Sequence, residues 1–141
     1  MIVASAVVPG AAGVVVDASA LAAVLFAEPA GALVQQTLRD RRLIAPALLP
    51  FELASIYAKK RRRHPNNADL LQRQWQWLRA LALDLHGVDF DAVVRLALQH
   101  RLTTYDASYL WLALDKNLPL ATLDRQLDAA WKRIEIGRAH V

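Results

Sequence analysis

Hydrophobic positions follow two rhythms along this chain. Val14-Val15-Val16, Leu43-Ile44-Ala45, Leu85 to Val88 and Leu118 to Thr122 are short, largely apolar runs. Such runs predict strands buried in a parallel sheet. Between and after them lie stretches of helical composition: Ala18 to Phe26, Pro29 to Arg39 and Leu48 to Arg63. Asn66 or Asn67 caps a further helix to Leu83, Asp89 or Asp91 starts one through Gln99, and Thr103 starts one through Asp115. A last helix is expected over Arg125 to Trp131, with Ile134-Glu135-Ile136 as an edge strand. Pro46 closes the second strand and His64-Pro65 ends the third helix. Strands alternating with helices predict βαβ units, hence a parallel sheet covered on both faces. Ligands of such sheets bind beyond the carboxyl ends of the strands.

The apolar start, Met1 to Val16, raises the question of a signal peptide or membrane anchor. It has no positive leading region, Pro9-Gly10 breaks it, and Asp17 stops it short of the ~20 residues a span needs. The expected organisation is an extension over 1–12, one domain over 13–137 whose first strand is Gly13 to Asp17, and a tail over 138–141. A length of 141 residues suits one domain with a real core. The expected setting is the cytoplasm, away from membrane.

Chemistry enters with the polar residues. The chain has no cysteine, which removes disulfides, thiolate metal sites and a cysteine nucleophile. His64, His86, His100 and His140 lack the close spacing of metal ligands. Carboxylates remain, and four stand out. Asp17 follows the first strand, Glu52 opens a helix among large apolar residues, Asp106 lies three after Thr103, and Asp124 follows the fourth strand. Asp17, Asp106 and Asp124 each have an ordinary use at a helix start. Glu52 fits that account less well, because lone acids among apolar residues are rarely buried without a partner.

A parallel sheet would bring Asp17 and Asp124 to one edge, with Asp106 and Glu52 in reach. Two unit charges 5 Å apart repel by roughly 3 kcal/mol at an effective dielectric of 20, so such a pocket must take up protons or a cation. An all-oxygen donor set suits Mg²⁺, or Mn²⁺.

The formal charge of +4 and pI near 9.9 favour polyanionic partners. Lys59 to His64 form a basic block at a helix end, larger than the helix dipole alone needs. Glu52, Ser55, Lys59 and Arg62 fall at i, i+3, i+7 and i+10, on one face. An acidic metal site leading into cations along one helix is what phosphodiester hydrolysis requires.

The runs VVVDASALAAVLFAEP, APALLPFELASIYAKK, LTTYDASYLWLALDKNLPLATLD and RQLDAAW resemble the PIN-domain ribonucleases, specifically the VapC toxins of toxin–antitoxin pairs. They span most of Val14 to Trp131 in the family's order, and YDASYL followed by PLATLD is the most specific part. The resemblance implies an α/β protein with a three-layer α/β/α arrangement around a central, mainly parallel twisted sheet. It implies a metal-dependent endoribonuclease with Asp17, Glu52, Asp106 and Asp124 as the catalytic quartet. Of these, Asp17, Asp106 and Asp124 would hold the ion, Ser19 and Thr122 would be auxiliary hydroxyls, and Lys59, Arg62 and Arg63 would meet RNA. Water would attack phosphorus with a 3′-hydroxyl as leaving group. A cognate VapB-like antitoxin and a homodimer are the implied partners.

Three features depart from the family pattern. Ser55 replaces a frequent asparagine, Arg101 stands where glycine is frequent, and a twelve-residue extension precedes the first strand. Leu71, Trp75, Trp77 and Leu78 share a helix and offer either core packing or a partner surface, with core packing the stronger expectation.

Two other α/β readings fit less well. A phosphotransfer receiver needs paired acids after its first strand and a mid-chain acceptor aspartate. A haloacid-dehalogenase phosphatase needs an aspartate where Ser19 stands. The remaining alternative is a catalytically silent PIN-like module that binds RNA or an antitoxin.

Overall fold

The computed structural model describes residues 11–139. Of the expected extension only Ala11 and Ala12, and of the tail only Arg138 and Ala139, fall within the described residues. Four parallel strands, β1 (Gly13–Val16), β2 (Arg42–Pro46), β3 (Leu83–His86) and β4 (Leu120–Ala121), lie in the order β3-β2-β1-β4. The helices are α1 (Ala18–Leu25), α2 (Gly31–Leu38), α3 (Leu49–Arg63), α4 (Ala68–Trp77), α5 (Phe90–His100), α6 (Thr104–Lys116) and α7 (Arg125–Ala139). Helices α1 to α4 pack among themselves, α5 to α7 form a second group, and α6 lies on β1 and β2. The result is the expected α/β sandwich.

β1 has a strand on either side, which explains the unbroken valine run. Val14, Val15 and Val16 are all buried, because sheet neighbours cover their edges and helices their faces. The core continues through Ile44 on β2, Leu21 and Leu25 on α1, Leu49 and Leu53 on α3, and Leu110 and Leu112 on α6. Gly31 lets α2 start hard against α1, since a Cβ there would sit 2.3 Å from the Ala23 carbonyl oxygen. Register places the site: Val16 pairs with Ala121, so the chain leaves β1 and β4 side by side.

Several boundaries differ from the sequence expectation. β3 begins two residues earlier than Leu85, and β4 shrinks to two residues. The helix expected up to Leu83 is α4 flanked by tight 3-10 turns at Pro65–Asn67 and Leu78–Ala80. Ile134-Glu135-Ile136 is not a strand but part of α7. Leu127, Ala130, Trp131 and Ile134 recur at i, i+3, i+4 and i+7 and pack on the core, while Ile136 is 60% exposed. That helical stripe outweighs a three-residue alternation.

The tryptophans divide. Leu71 is buried, Trp75 and Leu78 pack on the core, and Trp75 stacks on Tyr57 at 4.8 Å between ring centroids. Trp77 is exposed. Core packing therefore accounts for three of the four.

Helix ends follow local chemistry. Asp89 caps α5 by accepting from the Ala92 N–H, and Thr103 caps α6 by accepting from the Asp106 N–H. Arg101 ends α5 in the left-handed region, φ 55° and ψ 44°. This is why glycine suits the position, since a Cβ there costs about 1–2 kcal/mol. Arg101→Gly is expected to raise stability in denaturant melts by up to about 1 kcal/mol, gains in strain relief being partly offset by unfolded-state entropy. A loss of stability would show that the arginine side chain makes a compensating contact.

Candidate active site

The site grows from the carboxyl edge of the sheet. Asp17 ends β1 with its backbone extended and N–H bonded to the Ala121 carbonyl at 3.1 Å. Its side chain is the N-cap of α1: Oδ1 accepts from Ala20 N at 3.0 Å and from Ser19 Oγ at 2.7 Å. Oδ2 accepts from Thr122 Oγ1. The same two hydroxyls reach the neighbouring loop, where Ser19 Oγ accepts from Leu123 N at 2.9 Å and Thr122 Oγ1 accepts from Asp124 N at 3.0 Å. Ser19 and Thr122 thus tie the exit of β1 to the exit of β4.

The other acids stand on helix starts. Asp124 caps α7, with Oδ1 accepting from Leu127 N at 2.9 Å. Asp106 lies in the first turn of α6 and Glu52 in the first turn of α3. Glu52 Oε1 accepts from the Tyr109 hydroxyl at 2.6 Å, a bond that spans from α6 to α3. A pocket of about 210 Å³ is lined by all four acids together with Ser19 and Tyr109. Four segments far apart in the chain converge there, as the sheet-edge argument expected.

Electrostatics mark the pocket as crowded with negative charge. Asp17 is only 4% exposed, and burial pushes its carboxyl above the ordinary range against the pull of Thr122, Ala20 and Ser19; the charge of Asp124 adds to the rise. Burial also raises Glu52, opposed by Tyr109 and reinforced by Asp106 and Asp17. Asp106 is raised by burial, then by Asp124 and Asp17. Tyr109, buried and bonded to Glu52, is pushed well above a phenol's usual value and stays a proton donor.

The acids surround a common space without closing on it. Among the described residues, no group of three or more acids or histidines forms a ready-made metal cage. The donor chemistry nevertheless fits a hard divalent ion. Every donor is oxygen, Asp17 Oδ2 has a second lone pair beyond Thr122, and a cation would offset the burial and mutual repulsion that raise these carboxyls.

The basic block does not enter this pocket. Lys60 bonds Glu28 at 2.7 Å and lies over the Phe26 ring, while Arg61 bonds the Tyr57 hydroxyl at 2.8 Å and lies over that ring. Lys59, Arg62 and Arg63 are exposed on the last turns of α3. By helix rise, Lys59 and Arg62 stand roughly 10 and 15 Å along the axis from Glu52. Ser55 lines a neighbouring depression with Glu52, outside the four-acid pocket.

Tyr109 is the site residue that sequence reading did not single out. Its signal was present: it follows Asp106 by three residues, one turn along the same helix face. A larger groove of about 440 Å³ lies between α1, α2 and α4, but its one carboxylate, Glu28, is already paired with Lys60.

Charge removal should be measurable in the metal-free protein. Asp106 has a folded pKa above its ordinary 3.8, so its contribution to stability is full below that value and is lost as pH rises through the raised one. Asp106→Asn is therefore expected to make the EDTA-treated protein slightly more stable at pH 7 in denaturant melts, a gain that closes in acid. Equal stability of variant and parent at pH 7 would contradict a raised Asp106 carboxyl.

Comparison with known proteins agrees with this geometry. The sequence pattern of the PIN domain family matches residues 14–132. Ribonuclease VapC3 of Pyrobaculum aerophilum is 32% identical over 118 residues, covering 80% of this chain and 90% of that relative. The crystal structure of PAE2754 from Pyrobaculum aerophilum matches with a TM-score of 0.66 and 25% identity, over 93% of this chain and 99% of that one. The chain belongs to the PIN-domain family, among its VapC-type ribonucleases.

Proposed function

We propose that this protein is a toxin-type endoribonuclease that hydrolyses RNA phosphodiester bonds in the four-acid pocket and is restrained by a cognate VapB-like antitoxin. The observation that carries this reading is the convergence of Asp17, Glu52, Asp106 and Asp124 on one pocket. Asp17, Asp106 and Asp124 would hold a divalent ion, Mg²⁺ or Mn²⁺. Such an ion offsets the carboxylate charge and stabilises charge developing on a phosphoryl group.

The remaining work falls to the chain itself. Ser19 and Thr122 fix the Asp17 carboxylate in one orientation, so its free lone pair keeps a constant direction. Tyr109 anchors one oxygen of Glu52 and leaves Oε2 to take a proton from the attacking water. The new bond forms from that water to phosphorus, and the bond to the 3′-oxygen breaks. The departing oxygen takes its proton from solvent. Lys59, Arg62 and Arg63 meet the flanking phosphates along α3.

The domain spans 13–137, with the last turn of α7 running on into the tail. Among the described residues no helix is long and apolar enough to cross a membrane, and we place the protein in the cytoplasm. A homodimer completes the reading. Exposed Phe90, Val94 and Leu98 recur at i, i+4 and i+8 on α5 and supply an apolar stripe for it.

The test is cleavage of a mixed RNA pool by purified, antitoxin-free protein. Cutting is expected with Mg²⁺ or Mn²⁺, to stop in EDTA, and to fall at least about a hundredfold in Asp17→Asn. The same ions should raise the melting temperature of the parent and not of Asp17→Asn. Metal-independent cutting that survives the substitution would sink the assignment.

A further inference from the structure

Beside the four-acid pocket lies a second depression, of about 320 Å³, lined by Leu48, Phe51, Glu52, Ser55 and Tyr105. Glu52 lines both, so the two depressions are neighbours across that side chain. Two aromatic rings stand open there, with Phe51 80% and Tyr105 62% exposed. Each is next in the chain to a pocket acid, Phe51 to Glu52 and Tyr105 to Asp106. A lone exposed ring is ordinary on a protein surface. Two rings on one depression, both anchored in the helix turns that carry the acids, offer a stacking surface for a flat apolar face.

The lining chemistry selects that occupant. Among the described residues its lining holds no cation, and Glu52 disfavours a phosphate there unless an ion intervenes, so the lining does not suit the sugar–phosphate backbone. Ser55 and Tyr105 hydroxyls and the Glu52 carboxylate offer hydrogen bonds along the rim. A planar group with polar edges fits both features. Single-stranded RNA presents such groups, since its unstacked bases stack on aromatic side chains and bond through their edges. The cations of Lys59 and Arg62 lie further along α3, where the backbone of the same strand would run.

We propose that this depression is a nucleobase subsite: Phe51 and Tyr105 hold one base flanking the scissile phosphate and so set where the RNA is cut. The inference rests on the ribonuclease reading and adds a specificity determinant to it. Phe51 and Tyr105 position the strand and take no part in bond breaking.

The experiment places an abasic nucleotide at each position around the preferred cut site of a short RNA. At one position the parent protein should lose about tenfold in kcat/KM, mostly through KM. In Phe51→Ala and Tyr105→Ala the intact RNA should show that same loss, with kcat within about twofold. The abasic substitution should then cost little more. Tyr105→Phe keeps the ring and should keep the abasic penalty. Unchanged melting temperatures and metal-induced shifts would exclude misfolding, which the exposure of both rings makes easy to meet.

Fluorescence polarisation of the same RNAs reads the contrast without cutting. Absent cleavage with the contrast retained would count against the ribonuclease reading alone. An abasic penalty undiminished in both alanine variants would overturn the subsite. So would sedimentation showing that Phe51→Ala dissociates a dimer, because the rings would then be covered by a second copy of the chain.

Discussion

A carboxylate buried at the end of the central strand is the constraint on which the site depends. Asp17 follows three fully enclosed valines, so its charge is carried into the interior by the very run that makes β1 the middle of the sheet. Left alone there it would neutralise or disrupt the edge. It is kept by three donors, Ala20 N–H and the hydroxyls of Ser19 and Thr122. Because one donor comes from the loop after β4, satisfying this acid also draws β4 and the start of α7 into place.

Helix capping and the lining of the pocket fall to the same side chains. Asp17 caps α1 and Asp124 caps α7, while Thr103 caps the helix whose first turn carries Asp106. Capping and the proposed holding of an ion do not compete, because a carboxylate oxygen has more than one lone pair. Glu52 is different. It caps nothing, and its partner is Tyr109, buried on α6, so the bond couples the two helix groups across the site.

A similar division runs through the basic end of α3. Lys60 and Arg61 are held against Phe26 and Tyr57, whose rings continue into Trp75 through a stack that fastens α1, α3 and α4. Lys59, Arg62 and Arg63 project from the same turns as exposed charges. One sequence block therefore serves both packing and charge display, and helical periodicity separates the two.

Much of this was legible in the sequence because it depends on local rules. The valine run marked the buried β1, and cap residues marked the starts of α1, α5, α6 and α7, whereas α4 begins after Asn67 without the expected side-chain cap; the alternation of strands and helices predicted the sheet. The four acids could be placed because a parallel sheet sends all its strand ends to one edge. Element ends were less legible, as α7 and β4 show, since neighbouring packing decides where a helix stops or a strand finds a partner. The Glu52–Tyr109 bond, the shared depression beneath Phe51 and Tyr105, and the sorting of cations into packed and exposed were decided only in the tertiary structure. Each depends on the distance between side chains on different elements, and no periodicity along a single element encodes that distance.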